Sequence, residues 1–213
     1  MMVGLITFEG GDGSGKSTQI RALENYLKQA GRPCLTTCEP GGTGLGVLIR
    51  KVLLEVGAYQ IAPATELFLY LADRAQHVHE IILPALGAGK IVLCDRFTDS
   101  TLAYQGYGRG LDLEGLRRLN DIAGGAARPV LTFLLDCPVE CGLARTARRR
   151  AQTPAGGEDR FEREEIEFHE RVRAGFLELA RAEPERFRVI DASRSVDSVA
   201  AAIRRIIDQE VLS

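Results

Sequence analysis

An excess of charge of either sign is missing from this chain. Its 27 Lys and Arg residues against 29 Asp and Glu leave a formal net charge of -2. So even a balance sets up no basic field for a nucleic-acid polymer or an anionic membrane surface. Long apolar runs are missing too, and no stretch approaches the length of a membrane span. The opening Met1-Met2-Val3-Gly4 has neither the charged nor the apolar region of a secretory leader, so a cytoplasmic setting is expected. Cysteine is scarce: five residues, an odd number, which speaks for reduced thiols rather than a disulfide framework. Zinc chemistry lacks a ligand set. Cys34 and Cys38 share one face of an expected strand but stand about 13 Å apart. Cys137 and Cys141 straddle a strand-to-helix junction. His77 and His79 are two apart on an expected helix, do not face one another, and read as surface residues.

What is present is concentrated near the start. Residues 10–17 read Gly10-Gly11-Asp12-Gly13-Ser14-Gly15-Lys16-Ser17, a full phosphate-binding loop of the form G-x-x-x-x-G-K-[ST]. It follows an apolar strand-like run, Leu5–Phe8, and leads into a helix-compatible stretch from Thr18 to Ala30. The glycines let the backbone curl until its N–H groups converge on phosphate oxygens. The helix N-terminus adds partial positive charge at the same point. Lys16 can reach the outer phosphates, and the Ser17 hydroxyl can ligate Mg²⁺. A glycine-rich turn that binds nothing would not need the Lys-Ser pair in this context. The chain is expected to bind a nucleoside triphosphate.

At 213 residues the chain has the size of one large domain. Strands are expected at Leu5–Phe8, Cys34–Cys38, Ile91–Cys94, Val130–Asp136 and Arg188–Asp191, with helical patterns between them. That alternation predicts an α/β fold, a three-layer sandwich around a five-stranded parallel sheet. The unbroken apolar runs Ile91–Leu93 and Leu131–Leu135 suit strands covered on both faces. Val196, Val199, Ile203 and Ile206 recur at helical spacing in an amphipathic closing helix, with Arg204 and Arg205 outward. One stretch is different. Arg145, Arg148, Arg149 and Arg150 crowd the end of a helix, and a polar break with Pro154, Gly156 and Gly157 follows. A long charged helix is expected from near Asp159, with Phe161, Phe168, Val172, Phe176 and Leu179 on its buried face and Asp159/Arg163 and Glu167/Arg171 pairs outside. The segment at about 145–160 reads either as a solvated hairpin tip or as a lid over polyphosphate; the phosphate-binding loop favours the lid.

Phosphate-binding loops serve switches, motors and kinases alike. The third expected strand ends in Asp95-Arg96. Asp95 can hold Mg²⁺ at the strand's C-terminal end, but Arg96 is poorly explained by hydrolysis alone, since it puts a cation where a second phosphate could sit. Along nearly its whole length the chain resembles the bacterial type of thymidylate kinase. The resemblance rests on Phe8-Glu9-Gly10-Gly11-Asp12-Gly13-Ser14-Gly15-Lys16-Ser17-Thr18 and on Glu39-Pro40-Gly41-Gly42-Thr43. It continues through Phe68, Asp73-Arg74, Asp95-Arg96, Ala103-Tyr104-Gln105-Gly106 and Ile190-Asp191-Ala192-Ser193.

The resemblance implies ATP-dependent phosphorylation of dTMP to dTDP in dTTP synthesis, with Mg²⁺, in a homodimer. It implies that the loop residues through Thr18 hold ATP, that Ser17 and Asp95 serve the metal, and that Glu39 and Pro40 border the acceptor. Phe68 would stack on thymine, although Leu67-Phe68-Leu69 by itself reads as core packing. Arg74 would donate to a base carbonyl, against a plain reading as a helix-surface charge; its spacing from Phe68, near two turns, would bring both to one cleft. Ser100 and Thr101 fall where the family contacts the base. Tyr104 falls beside the sugar, where it leaves little room for a 2′-hydroxyl. Arg96 with Arg50 would hold the acceptor phosphate, and Gln105 is a further candidate. Asp12 would accept from the sugar 3′-hydroxyl. Gly13 stands where another group of the family carries an arginine, so the missing cation is expected from the lid, from Arg149 or Arg145. Kinases for other nucleotides and nucleotide-dependent switches are the competing classes.

Overall fold

The computed structural model describes residues 3–55, 60–152, 161 and 164–212. Five parallel strands form one sheet in the order β2-β3-β1-β4-β5: β1 Leu5–Glu9, β2 Cys34–Cys38, β3 Ile91–Asp95, β4 Pro129–Asp136 and β5 Phe187–Asp191. Helices α1 (Lys16–Gln29), α2 (Gly44–Leu54), α3 (Pro63–His77) and α4 (Leu83–Gly87) lie between the first three strands. Helices α5 (Thr98–Thr101), α6 (Leu113–Gly124), α7 (Val139–Gln152), α8 (Ile166–Ala182) and α9 (Val196–Glu210) follow. The loosely wound π-helical turns Val78–Ile82 and Leu102–Gly108 continue α3 and α5.

Alternation along β1 divides the core. Ile6 and Phe8 pack with Leu23 and Leu27 of α1 and Ile203 and Ile207 of α9, while Leu5 turns to Val92, Cys94 and Phe97 on the other face. Thr7 and Thr132 are both fully buried mid-sheet and share a 2.8 Å hydroxyl–hydroxyl hydrogen bond, so neither leaves an unmet polar group in the core. Because every strand points the same way, their C-terminal ends open on one edge, where the loops after β1, β2 and β3 meet.

Some expectations change. The helix expected from Asp159 begins at Ile166, after the non-helical Glu164 and Glu165. Its apolar face is as read at Phe168, Val172, Phe176 and Leu179, all buried, whereas Phe161, also buried, precedes the helix. Residues 153–160, which carry most of the expected lid tip, and Arg163 lie outside the described residues. His79 is exposed, but His77 is fully buried. Two positions on a helix are about 200° apart, so one of the pair had to face inward. Among the described residues no helix is long and apolar enough to cross a membrane.

Candidate active site

The phosphate-binding loop is built as its sequence requires. Gly10, Gly13 and Gly15 hold φ values of 133°, 71° and 96°, which residues with a Cβ rarely adopt. Helix α1 then begins at Lys16, so its unbonded N–H groups face the loop. Lys16 is buried, and its Nζ donates to Gly10 O at 3.0 Å and Gly11 O at 2.9 Å. Burial and the neighbouring Arg96 push its ammonium down to about 8, against the opposing pull of Asp95 and Asp12. Ser17 Oγ donates to Asp95 Oδ2 at 2.8 Å, which brings the loop hydroxyl and the carboxylate at the end of β3 together.

Beside the loop stands a cluster centred on Arg96. Its backbone is left-handed at φ 68°, a strain of about 1–2 kcal/mol for a residue with a side chain. Nη2 donates to Asp12 Oδ1 at 2.6 Å and to the Tyr104 hydroxyl at 3.0 Å, and Nη1 to Ser100 Oγ at 3.1 Å and Gly10 O at 3.1 Å. Tyr104 in turn donates to Asp12 Oδ2 at 3.1 Å, and its ring lies under the guanidinium at 4.9 Å. Burial opposes the Asp12 charge, but Arg96, Lys16 and Tyr104 outweigh it and hold the carboxyl below its usual range.

The far wall is a buried polar chain. Arg74, only 2% exposed, donates Nε to Glu39 Oε2 at 2.8 Å and Nη1 to Thr101 Oγ1 at 3.0 Å and Asn120 Oδ1 at 2.5 Å. His77 Nδ1 meets Glu39 Oε1 at 2.9 Å, and its Nε2 meets Thr37 Oγ1 at 2.6 Å. Arg74 is therefore no surface charge, and Glu39 is held on both oxygens. Arg50 Nη1 donates to Pro40 O at 2.8 Å, and Gln105 Nε2 to Glu66 Oε1 at 2.9 Å.

Lys16, Asp95, Arg96, Tyr104, Arg74 and Arg50 border one cavity of about 860 Å³. Of the residues singled out in the sequence, Asp12 through Thr18, Glu39, Pro40, Arg50, Arg74, Asp95, Arg96, Ser100, Thr101, Tyr104, Gln105, Arg145 and Arg149 all line it. Gly10 and Gly11, the first two residues of the loop, border a second, smaller cavity instead. Phe68 does not join them. It is 60% exposed, while Tyr70, four residues before Arg74, lines the cavity. Six residues fall short of two helical turns, so Phe68 and Arg74 leave α3 on different sides, whereas Tyr70 and Arg74 share a face. That one-turn spacing was the signal available in the sequence. Glu9, His77 and Asn120 gave no such signal, because their partners come from distant segments.

Helix α7 contributes Arg145, whose Nη1 donates to Ala192 O at 3.0 Å and approaches Gly13 O at 3.5 Å. Gly13 lies against Gly142 of α7, and a Cβ on Gly13 would overlap the Gly142 carbonyl. An arginine at position 13 has no room here.

The family model described as thymidylate kinase matches residues 8–203. The chain belongs to the thymidylate kinase family. Among its relatives, the thymidylate kinase of Geobacter sulfurreducens is 54% identical over 202 residues, 95% of each chain. That of Desulfovibrio desulfuricans is 55% identical over 204 residues, 95% of this chain and 94% of the relative. The crystal structure of thymidylate kinase from Ehrlichia chaffeensis superposes with a TM-score of 0.77 at 34% identity, covering 98% of this chain and 99% of that one. The family's parallel sheet with helices on both faces is the fold described above.

Proposed function

We infer that this chain transfers the terminal phosphoryl group of ATP to dTMP, giving dTDP. One observation carries the reading: a phosphate-binding loop with Lys16 and a second cationic cluster at Arg96 face the same cavity. A hydrolase needs only the first. Two phosphate sites in one volume suit transfer between two nucleotides, where the protein's work is alignment and charge neutralisation.

In this reading ATP lies along residues 10–18. Lys16 exchanges its bonds to the Gly10 and Gly11 carbonyls for phosphate oxygens. Arg96, with Arg50, takes the acceptor phosphate, and Asp12 and Tyr104 flank the sugar. Arg74 donates to the base, Tyr70 stands where Phe68 was expected to stack, and Ser100, Thr101 and Gln105 complete the base pocket. Arg149 and Arg145 are the lid cations. Ser17 Oγ and Asp95 Oδ2 are a pair of oxygen ligands that fits Mg²⁺, an ion that takes few protein ligands beside phosphates and water. Bound there, it would supply charge neutralisation at the transferring phosphate.

A homodimer accompanies this reading. Leu45, Leu48 and Val52 form an exposed stripe on α2, and α2 packs beside α3, where Phe68 is exposed. A second copy of the chain is the occupant proposed for that surface, and Phe68→Ser should shift sedimentation toward monomer. A cytoplasmic setting remains the expectation.

ATP consumption with and without dTMP tests the assignment. Consumption should require dTMP, and dTMP should exceed dUMP, UMP and dCMP in a turnover panel. Steady hydrolysis indifferent to the acceptor would instead mark a nucleotide-dependent switch.

A further inference from the structure

Glu9 is the last residue of β1, fully buried beneath the phosphate-binding loop, and the transfer reaction gives it no part. A carboxyl is an expensive group to bury, so its partners explain its presence. Its Oε1 accepts from the Phe97 backbone N–H at 2.8 Å, and its Oε2 accepts from Ser100 Oγ at 2.6 Å. Both partners belong to the turn that follows β3. Phe97 is the residue directly after the left-handed Arg96, and Ser100 Oγ accepts from Arg96 Nη1 at 3.1 Å.

We propose that Glu9 is a positioning residue of the acceptor site, which holds the Phe97 amide and the Ser100 hydroxyl so that Arg96 keeps its left-handed backbone and aims its guanidinium at the acceptor phosphate. The strained conformation is pinned from three sides. Arg96 N donates to Phe8 O at 3.0 Å, the Cys94 thiol donates to Arg96 O at 3.1 Å, and Glu9 takes the next amide in the chain. Without Glu9 the Phe97 N–H loses its acceptor in the interior, and one of the three restraints on the left-handed Arg96 backbone is gone. Burial and the nearby Asp99 push the Glu9 carboxyl up to about 8. A glutamine amide at this place could still accept from the Phe97 N–H without carrying a charge.

The inference rests on the reading of Arg96 as the acceptor-phosphate ligand, so Arg96→Ala is measured in parallel. Kinetics of the full-length enzyme with dTMP and ATP varied in turn, together with melting temperatures, make the test. Glu9→Ala should lower kcat/KM for dTMP by about ten- to a hundredfold while KM for ATP moves less than about threefold. Glu9→Gln should restore kcat/KM for dTMP to within about fivefold of the native enzyme, because its amide can accept from Phe97 and donate to Ser100. A merely structural role would lower the melting temperature without splitting the two substrates. Equal effects on both, or Glu9→Gln as impaired as a folded Glu9→Ala, overturns the proposal even if Arg96→Ala abolishes use of dTMP. An Arg96→Ala enzyme that handles dTMP normally overturns the underlying reading instead. If Glu9→Ala does not fold, Glu9→Asp carries the test, because its shorter side chain should not hold both Phe97 N–H and Ser100 Oγ: a loss confined to dTMP supports the link, and an unchanged kcat/KM for dTMP defeats it.

Discussion

Gly13 of the phosphate-binding loop and Gly142 of α7 meet so closely that a methyl group on Gly13 would overlap the Gly142 carbonyl, and one on Gly142 would overlap the neighbouring Asp12 carbonyl. The helix that carries Arg145 and Arg149 is thereby seated directly on the loop that holds the triphosphate. Gly142→Ala tests the contact. Alanine favours a helix over glycine by about 1 kcal/mol, yet the overlap should cost about 1–3 kcal/mol. The expected net result is a lowered melting temperature together with a raised KM for ATP. A variant more stable than the native protein, with unchanged ATP kinetics, would show that α7 and the loop have room to separate.

Lys16→Ala should reduce turnover by about a hundredfold, a loss of about 3 kcal/mol of transition-state stabilisation. The lysine is buried but, among the described residues, its hydrogen bonds stay within its own loop, to Gly10, Gly11 and Ser14. Circular dichroism should therefore report an intact fold. Near-native turnover at saturating ATP would remove the loop from the chemistry.

Arg74→Ala should damage both stability and use of dTMP, because the same guanidinium serves both. Removing it strips Glu39 of one of its two buried partners, and an uncompensated buried charge costs about 3–5 kcal/mol. Adding Glu39→Gln to that variant should restore part of the melting temperature but none of the affinity for dTMP. Recovery of both together would make Arg74 a structural residue only.

Of the lid arginines, Arg145 and Arg149 line the cavity. Arg149→Ala should lower turnover by about ten- to a thousandfold with little change in dTMP affinity. Arg148→Ala and Arg150→Ala should be milder. Single-turnover rates for these three variants and Arg145→Ala rank them; full rates throughout would leave the transferring phosphate to Lys16, Arg96 and Mg²⁺.

Glu9 also makes a pH signature. An unfolded glutamate titrates near 4.5 and the folded Glu9 at about 8. Between these values the folded state keeps a proton that the unfolded chain has released. Its contribution to stability is therefore complete below the unfolded value and is lost as pH rises through the folded one. Asp99 reinforces the shift, while Arg96, with Lys16 on α1, opposes it. Melting curves across about pH 5 to 9 should show Glu9→Gln gaining on the native protein as pH rises. Parallel curves would mean that Glu9 does not titrate in that window.

The amino-acid sequence by itself determined the phosphate-binding loop, the five strands, the parallel sheet and the buried face of α8. Each of these is set by near neighbours: glycine spacing, apolar runs between turns, or helical periodicity. The strand end marked Asp95-Arg96, while Asp12, Glu39 and Arg74 were picked out by the family resemblance; by local pattern alone Arg74 read as a helix-surface charge. Only the tertiary structure decided what depends on contacts across the chain. It put His77 inside against Glu39 and Thr37, turned Phe68 out and Tyr70 in, and seated Gly142 on Gly13. It also joined Glu9 to Ser100, 91 residues away, beneath the loop. A buried polar group is tolerated only where its partner is, and that partner is chosen by how the sheet brings distant turns together, a relation that no local pattern records.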